Sequence, residues 1–305
     1  MFTMKKTIFL IAFNVICLLG LAQSNIRLNN FWEYTNYINP AYINEDYFAE
    51  FSTAARKQWL NLPGSPTTFY ASGTTYIEKW HTQFGLKLTQ DKIGFTSTSD
   101  IDLSYAYALK INREWRLHLG LAVSYQMLSY DLTEMNLPTI IYDPAAYEGL
   151  LSENNFNSDL GIELTNKSWK FGASSQNVFS LLSKINKQYT NTNFLYAMYH
   201  QNTEELVNLG FGVCGIQYGN LYQMEFNMTS YFKLSKDQDQ FHVGMFYRTR
   251  NEIGAILGLN LSNLIGLSYS YDFILGGISR SSIGTHELIL SYKLNKIIKC
   301  LNCPN

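Results

Sequence analysis

Residues 264–294 read LIGLSYSYDFILGGISRSSIGTHELILSYKL. Ile265, Leu267, Tyr269, Tyr271 and Phe273 are apolar or aromatic, and Gly266, Ser268, Ser270 and Asp272 between them are small or polar. After a Gly- and Ser-rich turn at Gly276 to Gly284, His286, Leu288, Leu290, Tyr292 and Leu294 alternate with Glu287, Ile289, Ser291 and Lys293. A period of two with opposite chemistry on its two faces describes a hairpin with a different solvent on each side. The pattern predicts an all-β chain, an antiparallel β-barrel crossing a membrane. Ile289 is the one residue of the hairpin that breaks it.

Composition agrees across the 305 residues. Charged residues make up 15%, against about 25% in ordinary soluble domains. Aromatic residues also reach 15%, chiefly through 22 Tyr and 19 Phe, as suits a wall with aromatic girdles at two interfaces. A formal net charge of −1 with no basic stripe argues against nucleic acid as a partner.

The N-terminus has lysines at 5 and 6, an apolar run from Ile8 to Leu21, and small residues at Gly20 and Ala22 before Gln23. This predicts a signal peptide over residues 1–22, cleaved after Ala22, with Met4 as an alternative start. Cys17 lies inside the apolar run with Asn14 before it, a poor lipidation site. Beyond residue 22 no apolar run is long enough for a spanning helix, so the chain must cross as strands.

Residues 23–46 are expected to form a periplasmic or plug segment under or inside the barrel entrance, with Asn39-Pro40 marking a turn. Fourteen strands are expected over residues 47–294. They are Tyr47–Lys57, Thr67–Ile77, His81–Gln90, Asp100–Ile111, Trp115–Asp131, Phe156–Asn166, Ser168–Asn177, Phe194–Gln201, Glu205–Gln217, Asn220–Leu234, Gln240–Arg248, Glu252–Leu261, Leu264–Phe273 and Thr285–Leu294. The fourth and fifth alternate most strictly: Ile101 to Ile111 against Asp102 to Lys110, then Trp115 to Met127 against Arg116 to Gln126. Their polar faces carry Gly, Ser, Ala and isolated charges, as a crowded hydrated lumen requires. An even count puts both termini in the periplasm and makes Thr133 to Asn155 an extracellular loop. Residues 295–305 form a periplasmic tail with Cys300 and Cys303, a pair better suited to a local disulfide than to zinc. Cys214 reads as a small apolar filler.

No catalytic, cofactor or metal constellation stands out. His286-Glu287 lacks a second His four residues on, and there is no nucleophile elbow or phosphate-binding glycine loop. His118 and His242 sit on the polar faces of their strands, where an outer-membrane hydrolase would hold a base, but no nucleophile pairs with them in sequence. Asp100, Asp102, Glu163, Glu225, Arg116 and Arg248 face inward by alternation. They describe either a selectivity ring or a lumen filled with paired side chains, and the second suits a barrel of this size better. The inward run Gly120, Ala122, Ser124 leaves space either for a channel or for a plug.

Several short motifs carry a family resemblance. Asn39-Pro40-Ala41-Tyr42, Arg56-Lys57-Gln58-Trp59, Gly64-Ser65-Pro66-Thr67-Thr68, Tyr269-Ser270-Tyr271-Asp272 and Thr285-His286-Glu287-Leu288 together resemble the PorP/SprF family of type IX secretion system outer-membrane proteins from Bacteroidetes. Thr285 departs from the usual Ser, and the Cys-containing tail is an addition. The resemblance implies a non-enzymatic outer-membrane component that helps secrete or anchor large surface proteins, including gliding adhesins. It implies a secreted partner with a type IX sorting domain and a periplasmic peptidoglycan-linked partner, in contact with outer-membrane lipid. The family-motif residues would then be structural or docking positions: Asn39, Pro40, Arg56, Gln58, Trp59, Gly64, Pro66, Tyr269, Tyr271, Asp272, His286 and Glu287. A porin or solute channel is the alternative reading of the same wall.

Overall fold

Alternating runs of 8 to 15 residues, each stopped by Gly, Asn, Pro or a charged turn, fold into strands throughout the computed structural model. It describes residues 28–130, 152–182, 190–235, 238–249, 252–275 and 282–296. In chain order the strands are β1 (Tyr47–Lys57), β2 (Thr67–Ile77), β3 (Thr82–Ile93), β4 (Thr96–Lys110), β5 (Arg116–Tyr130), β6 (Ser152–Thr165) and β7 (Trp169–Gln176). Then follow β8 (Thr192–His200), β9 (Val207–Tyr218), β10 (Leu221–Ser235), β11 (Gln238–Arg248), β12 (Glu252–Asn260), β13 (Ile265–Ile274) and β14 (Thr285–Asn295). Each pairs antiparallel with its neighbours in sequence, and β1 pairs with β14, closing a barrel of fourteen strands. The first two strands have the expected bounds, and the others shift by a few residues at their ends. The expected signal peptide, residues 297–305 and most of the expected external loop lie outside the described residues; the last part of that loop, from Ser152, belongs to β6.

The outer wall is apolar. Leu103, Leu195 and Met245 are each more than 60% exposed, which water would penalise and lipid would not. Trp115, Phe171 and Trp169 stack in a row beside the β4–β5 and β6–β7 turns, and Tyr199 meets Trp169 at a tilt of 51°. This rim, where β1 begins and β14 ends, is called the lower rim below. The rim bearing the β1–β2 and β13–β14 turns is the upper one.

The core lies inside the barrel. Residues 28–46 run through the lumen from Asn29, which meets Asp272 and Glu287 near the upper rim, to Glu45, which meets Arg116 at the first residue of β5. Leu28, Phe31, Tyr34, Tyr37 and Ile38 bury themselves against Ala54, Tyr70, Phe194, Cys214, Ile216 and Ile289 of the inner wall. Ile289, which breaks the alternation of β14, is 1% exposed because it supports this segment. The start of the described chain is therefore at the opposite end from Tyr47 and Asn295, which pair at the lower rim. An even strand count sets where β1 begins and β14 ends; it does not constrain a segment that threads back through the lumen.

Candidate functional site in the barrel lumen

The upper half of the lumen holds a buried ion network built from six strands and the threading segment. Alternation turns Arg56 of β1, Arg248 of β11, Asp272 of β13 and Glu287 of β14 inward, where all are at most 5% exposed. Arg56 lies 3.7 Å from Asp272 and 3.6 Å from Glu287, and donates to Gln58 Oε1 at 2.9 Å. Arg248 donates to Glu225 at 2.6 Å, and lies 3.1 Å from Glu252 and 3.3 Å from Asp272. Its guanidinium also sits 4.3 Å over the Phe246 ring.

The threading segment completes this network. The backbone N–H groups of Asn29 and Asn30 donate to the two oxygens of Glu287 at 2.7 and 3.1 Å. The Asn29 side chain donates to Asp272 at 2.6 Å and accepts from Arg248 at 2.9 Å, and Asn30 donates to Ser268 at 2.8 Å. One turn further on, Trp32 Nε1 donates to Glu225 at 2.9 Å. A carboxylate held by guanidinium donors and backbone N–H groups in a water-poor interior makes strong, oriented bonds, so the segment is fastened rather than loosely inserted.

Two further anchors lie deeper. Asn39 donates to the Ile162 carbonyl at 3.1 Å and to Tyr196 Oη at 2.8 Å; Tyr196 in turn donates to Glu163 at 2.7 Å. Gly120 and Gly161, paired in register, leave the space that the backbone of Pro40 and Ala41 and the side chain of Asn39 occupy. Gly212 does the same for the Trp32 ring. The small inward residues make room for a plug, and among the described residues the lumen at this level is filled. At the lower rim Glu45 pairs with Arg116 at 2.6 Å and faces His118 at 3.5 Å. Burial alone would raise the Glu45 carboxyl; His118 and Arg116 outweigh it and hold it below the ordinary carboxylate value.

The family-motif residues therefore separate into groups. Arg56, Gln58, Asp272 and Glu287 meet in the network, and Asn39 with Pro40 seats the segment lower down. Trp59, Gly64 and Pro66 shape the β1–β2 turn. Trp59 (φ 52°) and Gly64 (φ 70°) both adopt left-handed backbone, and Pro66 accepts from Gln58 N at 3.0 Å. Gly64 also accepts from Gly94 N of the β3–β4 turn at 2.9 Å, and the Cβ that a side chain at Gly64 would add lies 3.3 Å from Gly94. Tyr269, Tyr271 and His286 point the other way, onto the outer wall, with Tyr269 Oη 2.7 Å from His286 Nδ1. Asn29, Asn30 and Tyr196 were not anticipated as site residues. Their partners are more than thirty positions away, and nothing local in the sequence points to them.

Of the two histidines considered as bases, His118 has Nδ1 3.5 Å from Glu163 and Nε2 3.5 Å from Glu45. Both nitrogens face carboxylates, an ion-pairing arrangement. His242 packs against Tyr231 with ring centroids 5.5 Å apart and fills the space left by Gly258. Glu163, Glu225, Arg116 and Arg248 are in paired clusters and Asp102 lies 3.3 Å from Lys87, while Asp100 lines a lumen cavity of about 260 Å³ together with Asp91, Asp102 and Asp159.

A family model described as type IX secretion system membrane protein PorP/SprF matches residues 20–292. No curated protein matches the sequence. Among solved structures, the chain is similar to the outer-membrane protein Omp33 of Acinetobacter baumannii, with 9% identity, 81% of this chain and 98% of that one covered, and a TM-score of 0.47. It is also similar to the CymD monoaromatic hydrocarbon channel, with 9% identity, 91% and 96% covered and a TM-score of 0.49. The toluene transporter TbuX of Ralstonia pickettii gives 8% identity, 85% and 92% covered and a TM-score of 0.47.

Proposed function

Because the chain belongs to the PorP/SprF family of type IX secretion system membrane proteins, we propose that it serves that system as a plugged outer-membrane anchor, working through its surfaces rather than through conduction. It is an outer-membrane β-barrel of a secretion-system family. The observation that carries the finer reading is the lumen. A segment fastened by Asn29, Trp32, Asn39 and Glu45 to seven different strands stands in the way of a large substrate passing through the barrel itself.

On this reading the lower rim faces the periplasm and meets a peptidoglycan-linked partner, and the upper rim meets a secreted surface protein carrying a type IX sorting domain, of the gliding-adhesin type. The β1–β2 turn supports a docking role for the upper rim. It is braced by Gly94 on one side and by Leu60 bonding to Gly284 and Ile283 on the other, so Trp59 is presented on a rigid platform. A porin would need a continuous aqueous path past Tyr37, Ile38 and Asn39, all buried within the barrel.

The test is to delete the gene and compare surface and culture-fluid proteomes with the parent strain, alongside a pull-down of the tagged barrel. Loss of a large surface protein, with that protein or a peptidoglycan-binding protein in the pull-down, is the expected result. An unchanged surface with slower uptake of a small solute would return the chain to the porin reading.

A further inference from the structure

The outer wall carries a polar row that runs across β13, β14, β1, β2 and β3 near the upper rim. Register sets Tyr271 beside His286, His286 beside Lys57, Lys57 beside Thr67, and Thr67 beside Lys92. Their chain neighbours Asp272, Glu287, Arg56, Thr68 and Asp91 are buried in the lumen, so strand alternation points this row toward lipid. Lys57 Nζ donates to the Ser65 carbonyl at 2.9 Å and to Thr67 Oγ1 at 2.8 Å. Those two bonds fix the ammonium in place and use two of its three N–H groups.

Directly deeper on the same strands is an apolar groove of about 680 Å³, lined on its lipid side by Ala55, Ala71, Phe69, Leu88, Ile101 and Leu290. Two residues of strand advance about 7 Å, which at a tilt of about 40° is roughly 5 Å of depth. Ala55 and Leu288 thus lie roughly 5 Å below Lys57, and Thr53 and Leu290 roughly 10 Å below it. Cations at headgroup level above an apolar groove at acyl depth match one kind of molecule.

We propose that the wall formed by β14, β1, β2, β3 and β4 holds an anionic, phosphate-bearing lipid, its phosphate at Lys57 and Lys92 and an acyl chain in the groove. Charge complementarity selects it over a zwitterionic lipid, whose own ammonium opposes the two lysines. The site would tie the barrel to one lipid on the side where it closes, next to the hairpin that carries the family motifs.

Native mass spectrometry of the detergent-extracted full-length barrel, titrated with phosphatidylglycerol or phosphatidylcholine, tests this. One phosphatidylglycerol should be retained with a preference of about tenfold or more. Lys57→Gln with Lys92→Gln should abolish that preference without changing phosphatidylcholine retention, and Ala71→Trp, which fills the groove, should lower retention of both lipids. Heat-modifiable gel migration reports whether each barrel is folded. If Lys57→Gln disturbs the β1–β2 turn, Lys92→Gln alone carries the comparison. Equal retention of the two lipids by the parent barrel, or a preference that survives the double substitution, would overturn the proposal. So would lipid-free dimers that Ala71→Trp disrupts, since they would assign the groove to a second copy.

Discussion

Asn29 and Arg248, 219 residues apart, share a 2.9 Å hydrogen bond inside the barrel. Through that bond the segment entering β1 is tied to the end of β11, and through Glu225 and Asp272 to β10 and β13. The wall and its contents are one structure, so changing either should be felt by the other.

Arg248 is 0% exposed and faces three carboxylates. Arg248→Met leaves Glu225 and Asp272 buried without their main cation, a loss of about 3–5 kcal/mol where a buried pair is broken. Asn29→Ala removes neutral donors and should cost less, about 1–3 kcal/mol. Urea midpoints, read from the heat-modifiable gel shift, should fall in that order.

Gly161 and Gly120 admit the segment, so Gly161→Leu should expel it while the strands, held by their own ladder, persist. Cys214 reports this directly, being 0% exposed in the cluster around Leu28 and Phe31. In a Cys17→Ser, Cys300→Ser, Cys303→Ser background, maleimide should leave Cys214 unlabelled in the parent and label it in Gly161→Leu. Gly215→Ala, whose added Cβ would lie 3.8 Å from Leu195 O, should behave as the parent.

Acid should loosen the segment from its lower end. The Glu45 carboxyl is held below its ordinary value of 4.5, so its contribution is complete above that pH and is lost as pH falls through the depressed folded value. Proteolysis at the lower end of the segment in folded barrels should therefore rise as pH falls below 4.5, and Glu45→Gln should show that susceptibility already at neutral pH.

The strands were legible because lipid and lumen impose opposite chemistry on alternate residues, and neither solvent tolerates a slip of register. β1 and β2 have their expected bounds for that reason. The direction of the threading segment was not legible, since its partners are contributed by strands far along the chain. Two local signs of it were present. Ile289 is an apolar residue on a polar face, and Gly120 with Gly161 form a pair of missing side chains at one level of the wall. Both are explained by what they touch. Arg248 and Glu225 were recognisable as inward charges, but their pairing with each other depends on β10–β11 register, which sets Glu225 opposite Arg248. The outward placement of His286, next to the inward Glu287, follows from the same alternation that identified the strand.

If residues 28–46 plug the lumen, the barrel is closed to ions. Single-channel recording of the purified full-length chain in planar bilayers tests it most directly, with the Gly161→Leu barrel recorded under the same conditions. A plugged parent barrel should be silent, and the variant should conduct in steps. Steady ohmic steps from the parent, unchanged by Gly161→Leu, would contradict it.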